Sequence, residues 1–443
     1  MQAGLAVTLE EYAARRGRLL KKMSPNSIAI LPAGNEKFRN ADTEYPFRQD
    51  SDFYYLTGFS EPQALLLLIK GSKEEGEFIL FCRSLDHEAA IWIGKRAGPE
   101  GVVKDLGANR AYPLEDLDKT MPLLLGNKDQ IYYSLGSHSL WDKRLFGWVR
   151  SLRAKVRTGV KAPQVWVDLN SLIHELRLIK SPAEIQLMKE ASRISVDAHL
   201  HLIKNCGPNK MEYELEADML QKCYSQGCRG MAYATIVAGG ANACTLHYTN
   251  NDRILKSGDL VLVDAGGEFQ NYASDITRTY PVNGKFTEDQ KSIYELVLKA
   301  QLAAIEHIRP GVFYNTLQET IVKIIAEGLL GLNILKGDLT QIIDQKLYRR
   351  FYMHNCSHWL GLDVHDVGAY QVNGKPRALE PGMVLTIEPG IYIQVGEEGV
   401  DKRWQGIGIR IEDDVLVTET GCEVLTKDLP KTVQDLENLM KSG

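Results

Sequence analysis

The stretch Gly382-Met-Val-Leu-Thr-Ile-Glu-Pro-Gly390 has a related copy earlier in the chain, Gly258-Asp-Leu-Val-Leu-Val-Asp-Ala-Gly266. Each runs from Gly through a hydrophobic segment to one carboxylate, one further residue and Gly. A short run of β-branched and Leu residues reads as a buried strand, and an acid at the end of such a strand is costly to bury without a partner. Glu388 and Asp264 therefore need a counter-charge. Each copy is followed by a second strand with another acid: Tyr272-Ala-Ser-Asp275-Ile-Thr-Arg-Thr after the first, and Gly406-Ile-Gly-Ile-Arg410-Ile-Glu412-Asp-Asp-Val after the second. Two strand pairs, each with two inward-pointing carboxylates, suggest one shared cationic site.

The segments around the two copies also repeat. Ser181-Pro-Ala-Glu184 opens a helix with a capping residue, Pro at the first helical position and Glu three residues after the cap. Apolar residues then recur at helical spacing from Ile185 to Leu202. His199 and His201 fall in the last turns, where a His is favourable against the helix dipole and is expected to be solvated. Gly207-Pro208 breaks this helix, and a second is expected from Glu212 to Gln226. The order returns with the capping pattern Thr287-Glu-Asp-Gln290, a helix to Ile308, the break Pro310-Gly311 and a helix over about 316–329. Helix, break, helix and acid-bearing strands occur twice, which predicts an internal duplication with two halves facing each other across a pseudo-twofold axis.

At 443 residues, the chain exceeds what one core usually supports. A boundary is expected near Glu175, giving an N-terminal domain over 1–175 and a second over 176–443. The N-terminal part has an α/β pattern: a basic amphipathic start from Glu10 to Lys22, then strands at Ser27–Leu31, Ala64–Ile69 and Phe78–Phe81. The polar and aromatic stretch from Asp42 to Phe53 reads as a surface loop pinned by its rings. Trp92, in Ala90-Ile-Trp-Ile, reads as core. The net charge of −5 gives no electrostatic case for nucleic acid or an anionic membrane. No apolar run approaches the roughly 18 residues of a membrane span. The first ten residues lack a basic start and a long apolar centre, so no signal peptide is expected. Seven cysteines at scattered spacings, without a CxxC pair, argue against a disulfide framework or zinc knuckle. The expected location is the cytoplasm.

Histidine placement turns the four acids toward chemistry. His247 lies in Thr245-Leu-His-Tyr-Thr, and three more lie in His354-Asn-Cys-Ser-His358-Trp-Leu-Gly-Leu-Asp-Val-His365-Asp. Carboxylates with a few imidazoles suit divalent ions that accept hard oxygen donors, with manganese, cobalt or zinc possible. Four like charges cannot share a buried site without a cation, because mutual repulsion would force protonation. Two ions, roughly 3.5–4 Å apart as in dinuclear sites, would satisfy both halves. Arg410 and Glu412 are two apart on one expected strand, hence on one face, so the guanidinium can orient a carboxylate without reaching the metal.

In order, Asp264, Asp275, His358, Glu388 and Glu412 resemble the five-ligand set of the dinuclear pita-bread metallopeptidases, which include methionine aminopeptidase, prolidase and aminopeptidase P. The stretches Ser357–Gly368, Asp275-Ile-Thr-Arg-Thr, Asn283-Gly-Lys-Phe-Thr and Gly406–Asp414 are most similar to the aminopeptidase P family, and Asp42–Gly58 is similar too. The resemblance covers nearly the whole chain. It implies an α/β (α+β) architecture, with a creatinase-like α/β domain ahead of a duplicated pita-bread domain. It implies hydrolysis of an N-terminal Xaa-Pro bond with two divalent ions, most often manganese, on peptides with proline second.

By the same resemblance, Asp264 binds one ion, Asp275 and Glu412 bridge both, and His358 with Glu388 holds the other. A bridging water or hydroxide is the implied nucleophile, and Glu388 helps to move its proton. His354 and His365 would hydrogen-bond the substrate carbonyl and the developing oxyanion or leaving nitrogen. His247 would line the proline side, Tyr233 would sit near the metals, and Arg410 would support the ligands. The N-terminal domain would support a homo-dimer or homo-tetramer, with Asp42 and Trp92 reaching a neighbouring subunit's site. Asn355-Cys356 departs from the family's usual Gly-Leu: Asn is the residue that best replaces Gly at positive φ, and Cys356 reads as a small buried filler. Two other readings compete. Prolidase cuts only dipeptides and tends to carry an insertion where this chain is short, between Gly368 and Pro381. A binding protein on the same fold without metal would lack some of the five ligand positions, all of which are intact here.

Overall fold

The computed structural model describes residues 5–71 and 76–441; residues 1–4, on which part of the signal-peptide reading falls, lie outside that range. The chain divides into two compact units, Val7–Arg177 and Leu178–Gly443 with Met1–Ala6.

The N-terminal unit is built on a mixed six-stranded sheet of Ser27–Pro32 (β1), Leu65–Lys70 (β2), Gly76–Cys82 (β3), Arg110–Pro113 (β4), Gln130–Tyr132 (β5) and Val165–Val167 (β6), in the order β4-β3-β2-β1-β5-β6. The central strand β2 carries four consecutive leucines, all buried. Burial on both faces replaces the polar alternation of a one-sided sheet. The helix Leu9–Lys22 is capped by Thr8, with acids in its first turn and lysines in its last. Two arginines of its basic run turn inward, Arg15 and Arg16 donating to the carbonyls of Tyr55 and Leu56 at 3.2 and 2.8 Å.

Two expectations for this unit need correction. Over Asp42–Phe53 only the first part is an exposed loop, formed around a short hairpin. Asp50 then accepts from the Phe53 N–H at 2.9 Å and caps a helix, Ser51–Thr57, whose Phe53 and Tyr55 are buried. Trp92 is not core. It lies on the helix His87–Ile93 and is 86% exposed, with Ile91 and Ile93 exposed on either side. An apolar run on so short a helix points its side chains in several directions, and these point outward.

In the second unit, the expected order occurs twice. Pro182–Asn205 (α1) and Glu212–Ser225 (α2) pack together and precede an antiparallel sheet of Ile236–Gly239 (β7), Leu260–Asp264 (β8) and Thr277–Pro281 (β9). Glu288–His307 (α3) and Tyr314–Gly331 (α4) pack likewise and precede Val384–Ile387 (β10), Gly390–Tyr392 (β11), Gly408–Arg410 (β12), Asp413–Val417 (β13) and Cys422–Val424 (β14). Their sheets are β10-β13-β14 and the pair β11-β12. Ser181 and Thr287 complete the two capping boxes, each satisfying two of the N–H groups a helix start leaves over.

The halves match in order but not in register. Asp264 lies opposite Thr277, two residues past Asp275, whereas Ile387 lies opposite Asp413, the residue directly after Glu412. His199 also departs from expectation: it is fully buried, and its Nε2 donates to the Ala265 carbonyl at 2.8 Å. His199 faces the end of β8 rather than water, whereas His201 is half-buried and Lys204 and Asn205 after it are exposed.

Candidate metal centre

Each acid occupies an edge of regular structure. Asp264 is the last residue of β8, and Glu388 directly follows β10. Asp275 lies in the break between Ala273 and Thr277, and Glu412 in the break between Arg410 and Asp413. Chain that leaves a ladder at these points aims its side chains into the space between the sheets. The result is a cavity of about 460 Å³ whose lining includes all four acids and His358. Its size is in the usual range for ligand sites, roughly 300–1,000 Å³. Asp275, His358 and Glu412 each offer a ligand atom within 4.8 Å of the others. His358 Nε2 is 3.3 Å from Asp275 and 3.5 Å from Glu388. Its Nδ1 donates to the Trp359 carbonyl at 3.0 Å, which fixes the ring and leaves Nε2 to face the acids.

Arg410 is fully enclosed, but its carboxylate partner is Asp264, at 2.6 Å. It also donates to Tyr392 Oη at 2.9 Å and to Thr277 Oγ1 at 3.1 Å. Thr277 in turn donates to Glu412 Oε2 at 2.7 Å. Arg410 and Glu412 both line the cavity, as residues on one face should, yet the guanidinium reaches Glu412 only through the Thr277 hydroxyl because its own carboxylate contact is taken by Asp264. Asp264 receives a second donor, Tyr233 Oη, at 2.6 Å.

The remaining histidines line the same cavity. The His365 ring stands edge-on to His358 with centroids 4.4 Å apart, and His247 is exposed on the wall. His354 has both ring nitrogens engaged: Nδ1 lies 2.7 Å from the Asn355 carbonyl and Nε2 lies 2.8 Å from Tyr392 Oη. Since a carbonyl only accepts, Nδ1 carries the proton and Nε2 accepts from Tyr392. Burial, then the charge of Arg410, pulls the His354 pKa down to about 4, so the ring is neutral. Asp42 and Trp92 belong to the N-terminal unit and are exposed there. Asn355 is exposed and is not among the positive-φ residues, so no glycine-like turn is present. Cys356 is buried, and burial followed by the charge of Glu388 raises its thiol pKa; a neutral thiol suits a filler.

The electrostatics test whether this donor set fits cations. Burial, followed by the charges of Asp275, Glu388 and Asp264, raises the pKa of Glu412. Burial raises Glu388 to about 7, despite the opposing pull of His358. Asp264 is raised by burial against the attraction of Arg410. For His358, burial pulls downward, but the hydrogen bond to Asp275 and the charges of Glu388 and Asp275 outweigh it and lift the ring to about 9. Carboxylates that hold protons, beside an imidazole that is charged, are groups competing for positive charge. Four oxygen donors and one imidazole nitrogen fit divalent ions of the manganese, cobalt or zinc type.

Three supporting residues escaped the sequence reading. Tyr392 joins Arg410 to His354, and nothing in Gly390-Ile-Tyr392 announces it. Thr277 and Asp414 stand two residues beyond Asp275 and Glu412, but neither lines the cavity, and their roles come from contacts with the opposite half. Asp414 is buried and accepts from Ser274 Oγ at 2.9 Å and from the Asp275 N–H at 3.2 Å.

Residues 186–419 match the model of metallopeptidase family M24, and residues 12–132 match the aminopeptidase P N-terminal domain. The chain is 47% identical to the Xaa-Pro aminopeptidase of Haemophilus influenzae over 97% of both sequences. It is 43% identical to that of Escherichia coli over 98% of both. Its fold superimposes on the Pseudomonas aeruginosa aminopeptidase PepP with a TM-score of 0.97, at 49% identity and 99% coverage of each chain. A zinc-substituted Escherichia coli aminopeptidase P in complex with product gives 0.96, at 43% identity and 98% and 99% coverage. With a family match over more than half of its length and relatives of this similarity along nearly all of it, the chain belongs to metallopeptidase family M24, among the members that carry the aminopeptidase P N-terminal domain.

Proposed function

We propose that this enzyme is a dinuclear metal-dependent aminopeptidase that removes the N-terminal residue ahead of proline. The convergence of Asp264, Asp275, His358, Glu388 and Glu412 in one cavity carries the reading. Asp264 would hold one ion, His358 and Glu388 the other, with Asp275 and Glu412 shared. When bound, the ions would polarise the scissile carbonyl and lower the pKa of a water between them. Manganese is the ion we assign.

The chain's own residues answer the particular demands of an Xaa-Pro bond. The proline nitrogen has no hydrogen, so recognition through a peptide N–H is closed, and the departing nitrogen needs a proton. Glu388 takes the proton of the attacking water at its carboxylate and passes it to the departing nitrogen. His365 would hydrogen-bond the carbonyl or the leaving nitrogen, His354 would do so only by releasing the Asn355 carbonyl or Tyr392, which hold its two ring nitrogens, and His247 would line the proline side. Tyr233 and Arg410 hold Asp264 from two directions, so that neither of its oxygens swings freely. The Arg410–Tyr392–His354 chain of hydrogen bonds keeps the His354 ring neutral and fixed.

We assign the enzyme to the cytoplasm; no helix among the described residues is long and apolar enough to cross a membrane. We also assign it a homo-oligomeric state, dimer or tetramer, with the N-terminal unit mediating association. The exposed side chains of Ile91, Trp92 and Ile93 support this, since apolar surface left in water marks an association surface. Asp42 and Trp92 would then serve a neighbouring subunit's site.

The test compares release of the first residue from an Xaa-Pro-Yaa tripeptide, its Xaa-Ala-Yaa analogue and the Xaa-Pro dipeptide, before and after chelation and with Mn(II) restored. Release from the proline tripeptide, abolished by chelation and recovered with Mn(II), is expected. Turnover of the dipeptide alone would mark a prolidase, and no turnover with metal bound would mark a binding protein.

A further inference from the structure

Asp275 and Glu412, equivalent acids in the two halves, are each held by a residue of the opposite half. Thr277 stands two residues after Asp275, yet its hydroxyl donates to Glu412 Oε2 at 2.7 Å and its carbonyl accepts from the Glu412 N–H at 3.1 Å. Asp414 stands two residues after Glu412, yet its two carboxylate oxygens accept from the Asp275 N–H, each at 3.2 Å. Asp414 also accepts from Ser274 Oγ at 2.9 Å and from Ser192 Oγ at 3.2 Å. Both residues are 0% exposed.

The exchange has a physical reason. Asp275 lies outside any strand, so no ladder fixes its peptide group, and a buried N–H needs an acceptor. Asp414 supplies one from the other half, offering both of its side-chain oxygens. Glu412 has a longer side chain with more rotamers to choose from, and here the brace acts on the carboxylate itself through Thr277.

We propose that Thr277 and Asp414 are a reciprocal pair of positioning residues, each crossing to the opposite half to set the aim of the acid shared by the two ions. The proposal rests on the dinuclear reading given above. Loss of a partner that orients a ligand typically weakens metal binding by about 10–100-fold.

The experiment titrates metal-depleted full-length protein with Mn(II), reading stoichiometry and affinity by calorimetry and the coupling of the two ions by low-temperature EPR. Wild type is expected to bind two ions with a coupled spectrum. Thr277→Val, which keeps shape and removes the hydroxyl, and Asp414→Asn are expected to bind at least one ion tenfold more weakly with an altered spectrum. Thr277→Ser is expected to restore the wild-type values. Should Asp414→Asn fail to fold, the Thr277 pair decides alone. Wild-type affinity and spectrum in Thr277→Val would overturn the proposal, as would a Thr277→Ser as impaired as Thr277→Val. A wild type that binds only one ion would remove the dinuclear reading itself, and the brace with it.

Discussion

Adding a single methyl group at Gly266 should disable the centre without replacing any residue that lines the cavity. A Cβ there would sit 2.5 Å from the Ser274 carbonyl carbon, closer still to its oxygen, and 3.1 Å from the Asp275 nitrogen. Ordinary contact begins near 3.4 Å, and the oxygen is the nearest atom, so the Ser274–Asp275 peptide must retreat by more than about 1 Å. That segment is the one that presents Asp275, and Asp414 grips it from behind. Overpacking of this kind costs about 1–3 kcal/mol, and a misplacement of about 1 Å at a site of chemistry costs about 10²-fold in rate. Gly266→Ala is therefore expected to fold, with a lowered melting temperature, and to lose about two orders of magnitude in kcat on an Xaa-Pro tripeptide at saturating Mn(II). Steady-state kinetics and a thermal melt on one preparation measure both. A kcat within about twofold of wild type would show that the position of the Asp275 peptide does not govern the reaction, and the reasoning would be wrong.

Other outcomes follow from the same contacts. In Arg410→Met, Asp264 loses its buried cation, and breaking such a pair costs about 3–5 kcal/mol; denaturation of the metal-free protein should show most of this loss, and unchanged stability would contradict the pairing. Arg410→Lys should not rescue it, because one ammonium cannot reproduce the guanidinium's three placed contacts. His199 is neutral and buried, its pKa lowered to about 4 by burial. The unfolded chain takes up a proton near pH 6.5 and the folded chain does not, so its contribution is present at neutral pH and lost as pH falls from about 6.5 toward 4. The contribution is about 3 kcal/mol; the difference in stability between wild type and His199→Gln should narrow across that window, and a constant difference would refute the assignment. Trp92→Glu should shift the assembly to smaller species in analytical ultracentrifugation, whereas an unchanged sedimentation profile would remove Trp92 from the interface.

Local signals in the sequence were the dependable ones. Ser181-Pro-Ala-Glu184 and Thr287-Glu-Asp-Gln290 form capping boxes because every group involved lies within four residues, and β8 and β10 follow from their apolar runs. The shared position of the four acids was legible because the motif occurs twice, which makes a long-range meeting a matter of symmetry. What depended on distant chain was not legible. The partner of Arg410 is Asp264, in the other half, and spacing to Glu412 could not reveal it. Tyr392 gains its role only from where Arg410 and His354 arrive. His199 is buried by a strand end some sixty residues on, and a dipole argument confined to its own helix misses that. Trp92 has the composition of a core residue, but it sits on a helix of seven residues whose side chains point outward, and composition does not say which way so short a helix turns.

The central claim is that the two halves bring five side chains around a pair of ions. Anomalous scattering from a crystal grown with Mn(II), recorded on both sides of the manganese absorption edge, tests it most directly. Two peaks are predicted, one beside Asp264 and one beside His358 and Glu388, with Asp275 and Glu412 between them. A single peak, or peaks away from these five residues, would contradict the account.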